Sequence, residues 1–185
     1  MVFQHNEQGD KLGEKAVTEL IYFVLRYYLP PMIANSSPVL IKGNIPVDKN
    51  KTWRDGRRLL GPNKTVEGLI TGILSSFIAA SCINMVIEAG FSYILLATLA
   101  GIAALMGDLA GAFTKRRMDI PPGGHLPVVD QLGFAVAATA LYYLLGVEEV
   151  VSNPVLVLDT LTLIFVLHVS TNYLAYLLGL KTSKF

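Results

Sequence analysis

The sequence is short of charge and nearly without cysteine. Asp, Glu, Lys and Arg make up 16% of its 185 residues, against 52% hydrophobic, and the mean hydropathy is +0.50. Soluble domains carry about 25% charged residues, so a water-soluble globule is excluded and an integral membrane protein is indicated. The single cysteine, Cys82, excludes an intramolecular disulfide. It sits in an apolar run and reads as a small core residue. The first fifteen residues lack the basic, apolar, then small-residue order of a cleavable signal, so targeting falls to the first membrane helix. No barrel-like alternation, internal repeat or low-complexity segment is present. The net charge of +1 says nothing about partners, and nucleic acid is not expected among them.

What the sequence does contain is five apolar stretches, at about 17–40, 66–87, 91–113, 126–145 and 154–178. A membrane helix needs roughly 20 residues, and a helix satisfies its own backbone groups in lipid. The fold expected is an all-α integral membrane protein, one membrane domain over 1–185 with five transmembrane helices. The first stretch is irregular. Arg26 interrupts it, and Pro30-Pro31 should kink or break it. Arg26 reads as a snorkelling interfacial residue, or as a contact to an anionic lipid headgroup.

Charge is concentrated in two links. Loop 41–65 carries Lys42, Lys49, Lys51, Arg54, Arg57, Arg58 and Lys64 against Asp48 and Asp55, and loop 114–125 carries Lys115, Arg116 and Arg117. The other two links hold Glu88, Glu148 and Glu149 but no Lys or Arg. The positive-inside rule then makes both basic loops cytoplasmic. Five crossings put the N-terminus outside and the C-terminus, with Lys181 and Lys184, inside; Lys11 and Lys15 oppose this only mildly. The sequons at Asn50 and Asn63 then face the cytoplasm, and with Asn35 they read as non-glycosylation features.

Both chemically dense loops therefore fall on one side, where they could close over one site. Asp108 and Asp130 are carboxylates at the rim of apolar helices, where burial is costly without a partner. Asp108 and Lys115 lie seven residues apart, about two helical turns, and so share a face. Asp108 could hold a divalent cation while Lys115 holds the phosphates it bridges. Paired carboxylates among cations suit Mg²⁺-assisted nucleotidyl transfer. The plainer alternative salt-bridges both aspartates to Arg116 or Arg117. Gly56 to Thr65 combines glycines, cations and a Lys-Thr pair before a helix, which invites phosphate binding. It is not a Walker A loop, because Pro62 and Asn63 separate Gly61 from Lys64. Thr65 could serve only as an N-cap, and the cations only as a lipid anchor. His125 follows a Pro-Gly turn and reads as a solvated histidine or a proton shuttle. His168 and Asn172 share a helix face, suited to interhelical hydrogen bonding.

Several motifs together resemble the CDP-archaeol synthases, archaeal membrane enzymes related to phosphatidate cytidylyltransferases. They are Pro31 to Val39, Pro46-Val47-Asp48, Asp55-Gly56-Arg57-Arg58-Leu59-Leu60-Gly61 with Lys64-Thr65 and Gly68, Gly107-Asp108-Leu109, Lys115-Arg116-Arg117, and Leu126 to Leu132. The resemblance implies transfer of CMP from CTP to 2,3-bis-geranylgeranyl-glycerol 1-phosphate, giving CDP-archaeol and pyrophosphate, with Mg²⁺ as cofactor. It implies metal-linked, catalytic Asp108 and Asp130, and phosphate binding by Lys115, Arg116 and Arg117. Arg57, Asn63, Lys64 and Thr65 would line the nucleotide site. The lipid phosphate is already ionised at neutral pH, so no strong general base is required. Two positions depart from the wider pattern: Ala112 stands where a Ser is usual, and Gly133 where a second acidic residue is usual. Two other readings remain open at this stage. One is a cytidylyltransferase acting on ester phosphatidic acid. The other is a non-enzymatic membrane protein, either a transporter or an anionic-lipid anchor.

Overall fold

In a computed structural model the described residues run from 2 to 179; Lys181 and Lys184 lie outside them. Among the described residues the architecture is helical, with isolated bridges but no strand. Helix α1 spans Val2–Phe23, a π-helical turn spans Val24–Tyr28, α2 spans Leu29–Ser36 and a 3₁₀ turn spans Ser37–Leu40. Then follow α3 (Val66–Ile87), α4 (Phe91–Arg117), α5 (Pro127–Leu144), the short α6 (Glu148–Val151) and α7 (Pro154–Leu177). Four of these, α3, α4, α5 and α7, are long and apolar enough to cross a membrane.

The first helical run begins at Val2 rather than near Val17. It is interrupted at the prolines, as expected: a π turn precedes them, and Pro30 and Pro31 lie in the first turn of α2. Pro30 and Pro31 have no N–H to offer the carbonyls of Arg26 and Tyr27, four residues back. The π turn passes through this stretch, with Leu29 N–H bonded to Val24 O. The two orphaned carbonyls are taken by other helices. Tyr93 of α4 donates its hydroxyl to Arg26 O at 2.8 Å, and Tyr142 of α5 donates to Tyr27 O at 2.6 Å. The sequence's weak point is thus where α4 and α5 are pinned to the first run. Arg26 also finds a protein partner, Glu149, at 3.0 Å.

The core gathers around that junction: Tyr27, Tyr28, Ala100, Ala104, Phe134, Ala135, Ala138, Tyr142 and Ile164 are all buried together. Elsewhere the helices approach through small residues, as membrane helices do. A Cβ on Gly72 would lie 2.7 Å from Ala34 O, and one on Gly107 would lie 2.5 Å from Gly133 O. Gly107 and Gly133 therefore set the α4–α5 crossing, one residue from Asp108 and three from Asp130. Cys82 is exposed rather than in the core. On a membrane helix an apolar stretch faces lipid as readily as protein, so hydropathy alone could not place it.

Candidate active site

Loop 41–65 folds back on itself around one buried carboxylate. The Asp48 side chain is fully shielded from solvent. It accepts from Arg58 Nη2 at 2.7 Å and Nε at 3.2 Å, and from the backbone N–H groups of Asn50, Leu60 and Gly61 at 3.0–3.1 Å. Burial alone would raise its pKa. The Arg58 guanidinium and the three amides outweigh burial and hold it well below the usual carboxylate range. Two more contacts fix where the loop ends: Val47 N–H bonds to Lys64 O at 2.8 Å and Val66 N–H to Ile45 O at 2.9 Å. Thr65 then caps α3, its hydroxyl accepting from Gly68 N–H at 3.2 Å, which is the N-cap role allowed for it. Asn63 is exposed in the turn just before Lys64.

The second cationic cluster is not in a loop. Helix α4 continues to Arg117, four residues past the expected end, so Lys115, Arg116 and Arg117 form its last turn. Cations are favoured there by the negative end of the helix dipole. Because they are helical, consecutive residues point about 100° apart and go to different partners. Lys115 Nζ lies 2.8 Å from Asp130 Oδ1 and also donates to Gly124 O at 3.3 Å. Arg116 donates to Pro121 O at 3.3 Å, and its Nε is buried without a partner. Arg117 reaches back to the first loop, pairing with Asp55 at 2.9 Å and donating to the carbonyls of Arg57 and Arg58. Arg57 answers by donating to Arg117 O at 3.0 Å and pairing with Asp119 at 3.3 Å. The two basic stretches, expected to lie on one side, are bolted together at one end of the bundle.

The aspartates and lysines of the expected site lie there, each aspartate paired with a lysine from another element. Asp108 Oδ2 is 2.5 Å from Lys64 Nζ, which arrives from the first loop. Asp130 takes Lys115, and its other oxygen accepts from Leu126 N–H at 2.9 Å at the start of α5. Neither aspartate pairs with Arg116 or Arg117, the plainer alternative from sequence. Between the basic stretches lies a cleft of about 330 Å³, lined by Arg57, Arg58, Gly61, Arg116, Asp119 and Pro121 among others. His125 is exposed, while the half-buried His168 stacks on Phe134 with ring centroids 5.6 Å apart. Ala112 is buried, so no hydroxyl is offered at that position. Gly133 lies on the helix crossing, where a Cβ would be 3.7 Å from Gly107 O.

Among the described residues no cluster of three or more His, Cys, Asp or Glu side chains is arranged to hold a metal. A Mg²⁺ ion needs no such cage, because it is bound through one or two carboxylates and completes its shell with substrate phosphates and water. Asp108 and Asp130 are the carboxylates available, each paired with a lysine, Lys64 and Lys115. The residues present thus fit a metal that arrives with a nucleotide rather than one caged by the protein. Asp48 and Asp55 went unassigned on sequence grounds. Their partners lie ten and sixty-two residues away, and no local spacing reports them.

An apolar helix bundle carrying carboxylates, lysines and a cationic cleft at one end suits a membrane-embedded protein that handles phosphorylated substrates. The comparisons with known proteins narrow this class. The family described as CarS-like CDP-archaeol synthase matches residues 17–185, and the chain belongs to it. It is 47% identical over 164 residues to the CDP-archaeol synthase of Staphylothermus marinus, covering 89% of this chain and 93% of that protein. It is 40% identical over 167 residues to that of Thermococcus onnurineus, covering 84% and 92%. A solved structure of an intramembrane enzyme for archaeal membrane lipid biosynthesis superposes with a TM-score of 0.72 at 33% identity. That match covers 83% of this chain and 94% of the other.

Proposed function

We propose that this protein transfers CMP from CTP to 2,3-bis-geranylgeranyl-glycerol 1-phosphate, releasing pyrophosphate, in a Mg²⁺-dependent reaction at the cytoplasmic face of the cell membrane. Family membership supports the reaction and its substrates. The observation that carries the site is that loop 41–65 brings Lys64 to Asp108 and the last turn of α4 brings Lys115 to Asp130, both at one end of the bundle. In this reading the first helical run crosses the bilayer as a fifth span. Arg26 interrupts its apolarity, and Glu149 balances that charge at 3.0 Å. The basic end then faces the cytoplasm by the positive-inside rule.

The lipid phosphate oxygen attacks the α-phosphorus of CTP, forming the new P–O bond as the bond to the β-phosphate bridging oxygen breaks. The electron pair leaves on pyrophosphate. Bound Mg²⁺, held by Asp108 and Asp130, would neutralise and orient the phosphates. Lys64 and Lys115 stabilise charge on the transferring and leaving groups. Arg57 and Arg116 face the cleft and draw the polyphosphate in, Asn63 and Thr65 flank the nucleotide, and Arg117 keeps the two basic stretches together. The nucleophile is already ionised, so catalysis is positioning plus neutralisation. Isoprenoid tails stay in the lipid while the phosphate reaches the site at the helix ends.

The test is product formation by purified protein with radiolabelled CTP, Mg²⁺ and a panel of lipid phosphates. A CDP-lipid from the geranylgeranyl ether substrate, lost with EDTA, is expected. Product from ester phosphatidic acid alone would keep the chemistry and replace the substrate. No product and no CTP binding would favour a transporter or an anionic-lipid anchor.

A further inference from the structure

The cations of loop 41–65 fall into two groups. Arg57, Arg58 and Lys64 each pair with a carboxylate. Lys42, Lys49, Lys51 and Arg54 are exposed and make no ion pair or side-chain hydrogen bond among the described residues. Lys51 and Arg54 share one hairpin with Trp53. Its arms are joined by Leu59 N–H to Lys51 O at 3.0 Å and Trp53 N–H to Arg57 O at 2.8 Å, and Gly56 N–H closes the tip on Trp53 O at 3.0 Å. Lys49 lies in the turn that enters it, where Lys51 N–H bonds to Asp48 O at 2.8 Å. Thr52 and Arg58 stand opposite each other across the hairpin, and Arg58 turns inward to the buried Asp48. Side chains alternate along extended chain, so Lys51 and Trp53 lie on the other face. From this arrangement we infer that hairpin 49–59 is a membrane-contact element whose unpaired cations recognise the anionic headgroups of bilayer phospholipids.

The contact with α4 sets the depth of the hairpin. Trp53 stands edge-on to Phe113, with ring centroids 5.5 Å apart and an interplanar angle of 89°, and Arg117 holds the tip through Asp55 at 2.9 Å. Phe113 is the last apolar residue of α4 before the Lys115-Arg116-Arg117 cluster. By spacing, Met106, Ala110 and Phe113 share one face of that helix, and Met106 and Ala110 are exposed. An exposed apolar face on a membrane-crossing helix meets lipid. Trp53, itself 48% exposed, sits where that face leaves the hydrocarbon, the level at which tryptophan is favoured. Cations at that level meet lipid phosphates. Each Lys or Arg beside an anionic surface strengthens the contact by about fivefold, and the effect fades within about 8–10 Å. A soluble acidic partner would use the same cations but would give the half-exposed indole at the end of a lipid-facing stripe no role. The bilayer is therefore the occupant. This contact needs none of the chemistry assigned to the site, although it holds the cleft beside Arg57 and Arg58 against the surface that supplies a lipid phosphate.

The experiment uses full-length protein in lipid nanodiscs. Trp53 is the single tryptophan, so its emission reports this hairpin alone. Quenching by acrylamide, which is uncharged, is compared between discs of phosphatidylcholine and discs that also contain phosphatidylglycerol. Anionic lipid is expected to lower the quenching constant by about twofold or more, and high salt should reverse the change. Combining Lys49→Gln, Lys51→Gln and Arg54→Gln should abolish the difference, with the melting temperature in detergent unchanged, because none of the three has a partner to lose. Each substitution alone should remove part of the difference, which preserves the test should the triple variant fold poorly. Lys15→Gln, which neutralises an exposed cation on α1, should leave the difference intact. The inference is overturned if quenching is equal in the two discs or if the folded triple variant keeps the protection. It is also overturned if CTP or inorganic phosphate protects Trp53 in phosphatidylcholine discs as well as anionic lipid does. CDP-lipid formation is measured separately: its absence with Trp53 protected would remove the functional reading and leave this one standing.

Discussion

Asp48 touches neither the paired lysines nor the paired aspartates, yet neutralising it should reshape the nucleotide site. In Asp48→Asn the side-chain volume is kept, but Arg58 loses the anion that it contacts through two nitrogens. Removing one partner of a buried pair costs about 3–5 kcal/mol. Arg58 is 30% exposed, and solvent screening brings the figure to about 2 kcal/mol. Arg58 and Gly61, both held by Asp48, line the cationic cleft. The cost falls on the ordered loop, so the binding-competent fraction drops and apparent affinity drops with it. Two kcal/mol sets an upper limit of about a 30-fold rise in the KM for CTP, with kcat at saturation within about twofold of the parent. Replacing Arg58 with Met in the same background should recover part of the loss by removing the stranded cation, a coupling that a double-mutant cycle measures. The sign of the pH effect follows from the depressed pKa. Asp48's contribution is complete above the ordinary value of 3.8 and is lost as pH falls through the folded value, so neutral-pH assays see all of it. A KM changed less than twofold, or a fall in kcat with KM intact, would refute this reasoning.

Two other substitutions test the scaffold. Gly107→Ala places a Cβ 2.5 Å from Gly133 O, so α4 and α5 must part. A loss of about 1–3 kcal/mol in stability and a fall in turnover larger than the shift in melting temperature explains are expected, because Asp108 rides on the same turn. Unchanged melting and turnover would mean the crossing is looser than described. Tyr142→Phe removes only the hydroxyl that serves Tyr27 O. The orphaned carbonyl should cost about 1 kcal/mol, read as a lower melting temperature in detergent with the KM for CTP unchanged.

Much of this was legible from hydropathy and charge. The ranges expected for α3, α5 and α7 fall within two residues of those observed, because each apolar run is bounded by polar turns. The clustering of both basic stretches at one end also followed from charge placement. The pairings did not. Seven-residue spacing put Asp108 and Lys115 on one face, but face sharing does not say which neighbouring chain reaches a side chain first. Lys64 and Asp130 are closer partners only because loop 41–65 and α5 close over the end of α4. The same limit hid Asp48, whose ligands come from a turn ten to thirteen residues on. It also hid Tyr93 and Tyr142, since apolar runs absorb tyrosines without signalling which carbonyl they serve. The prolines announced a defect in the first helix, and only the three-dimensional arrangement showed it to be a junction.

The most direct test of the site is turnover in Asp108→Asn and Asp130→Asn, each compared with the parent for folding by circular dichroism and melting temperature. Both substitutions keep shape while removing the charge that holds a lysine in the free protein and that, in the proposed reaction, would hold the metal. Loss of CDP-lipid formation by about 100-fold or more in each, with folding intact and CTP turnover not restored by excess Mg²⁺, is expected. Near-parental activity in both folded variants would contradict the assignment of these carboxylates to the metal site.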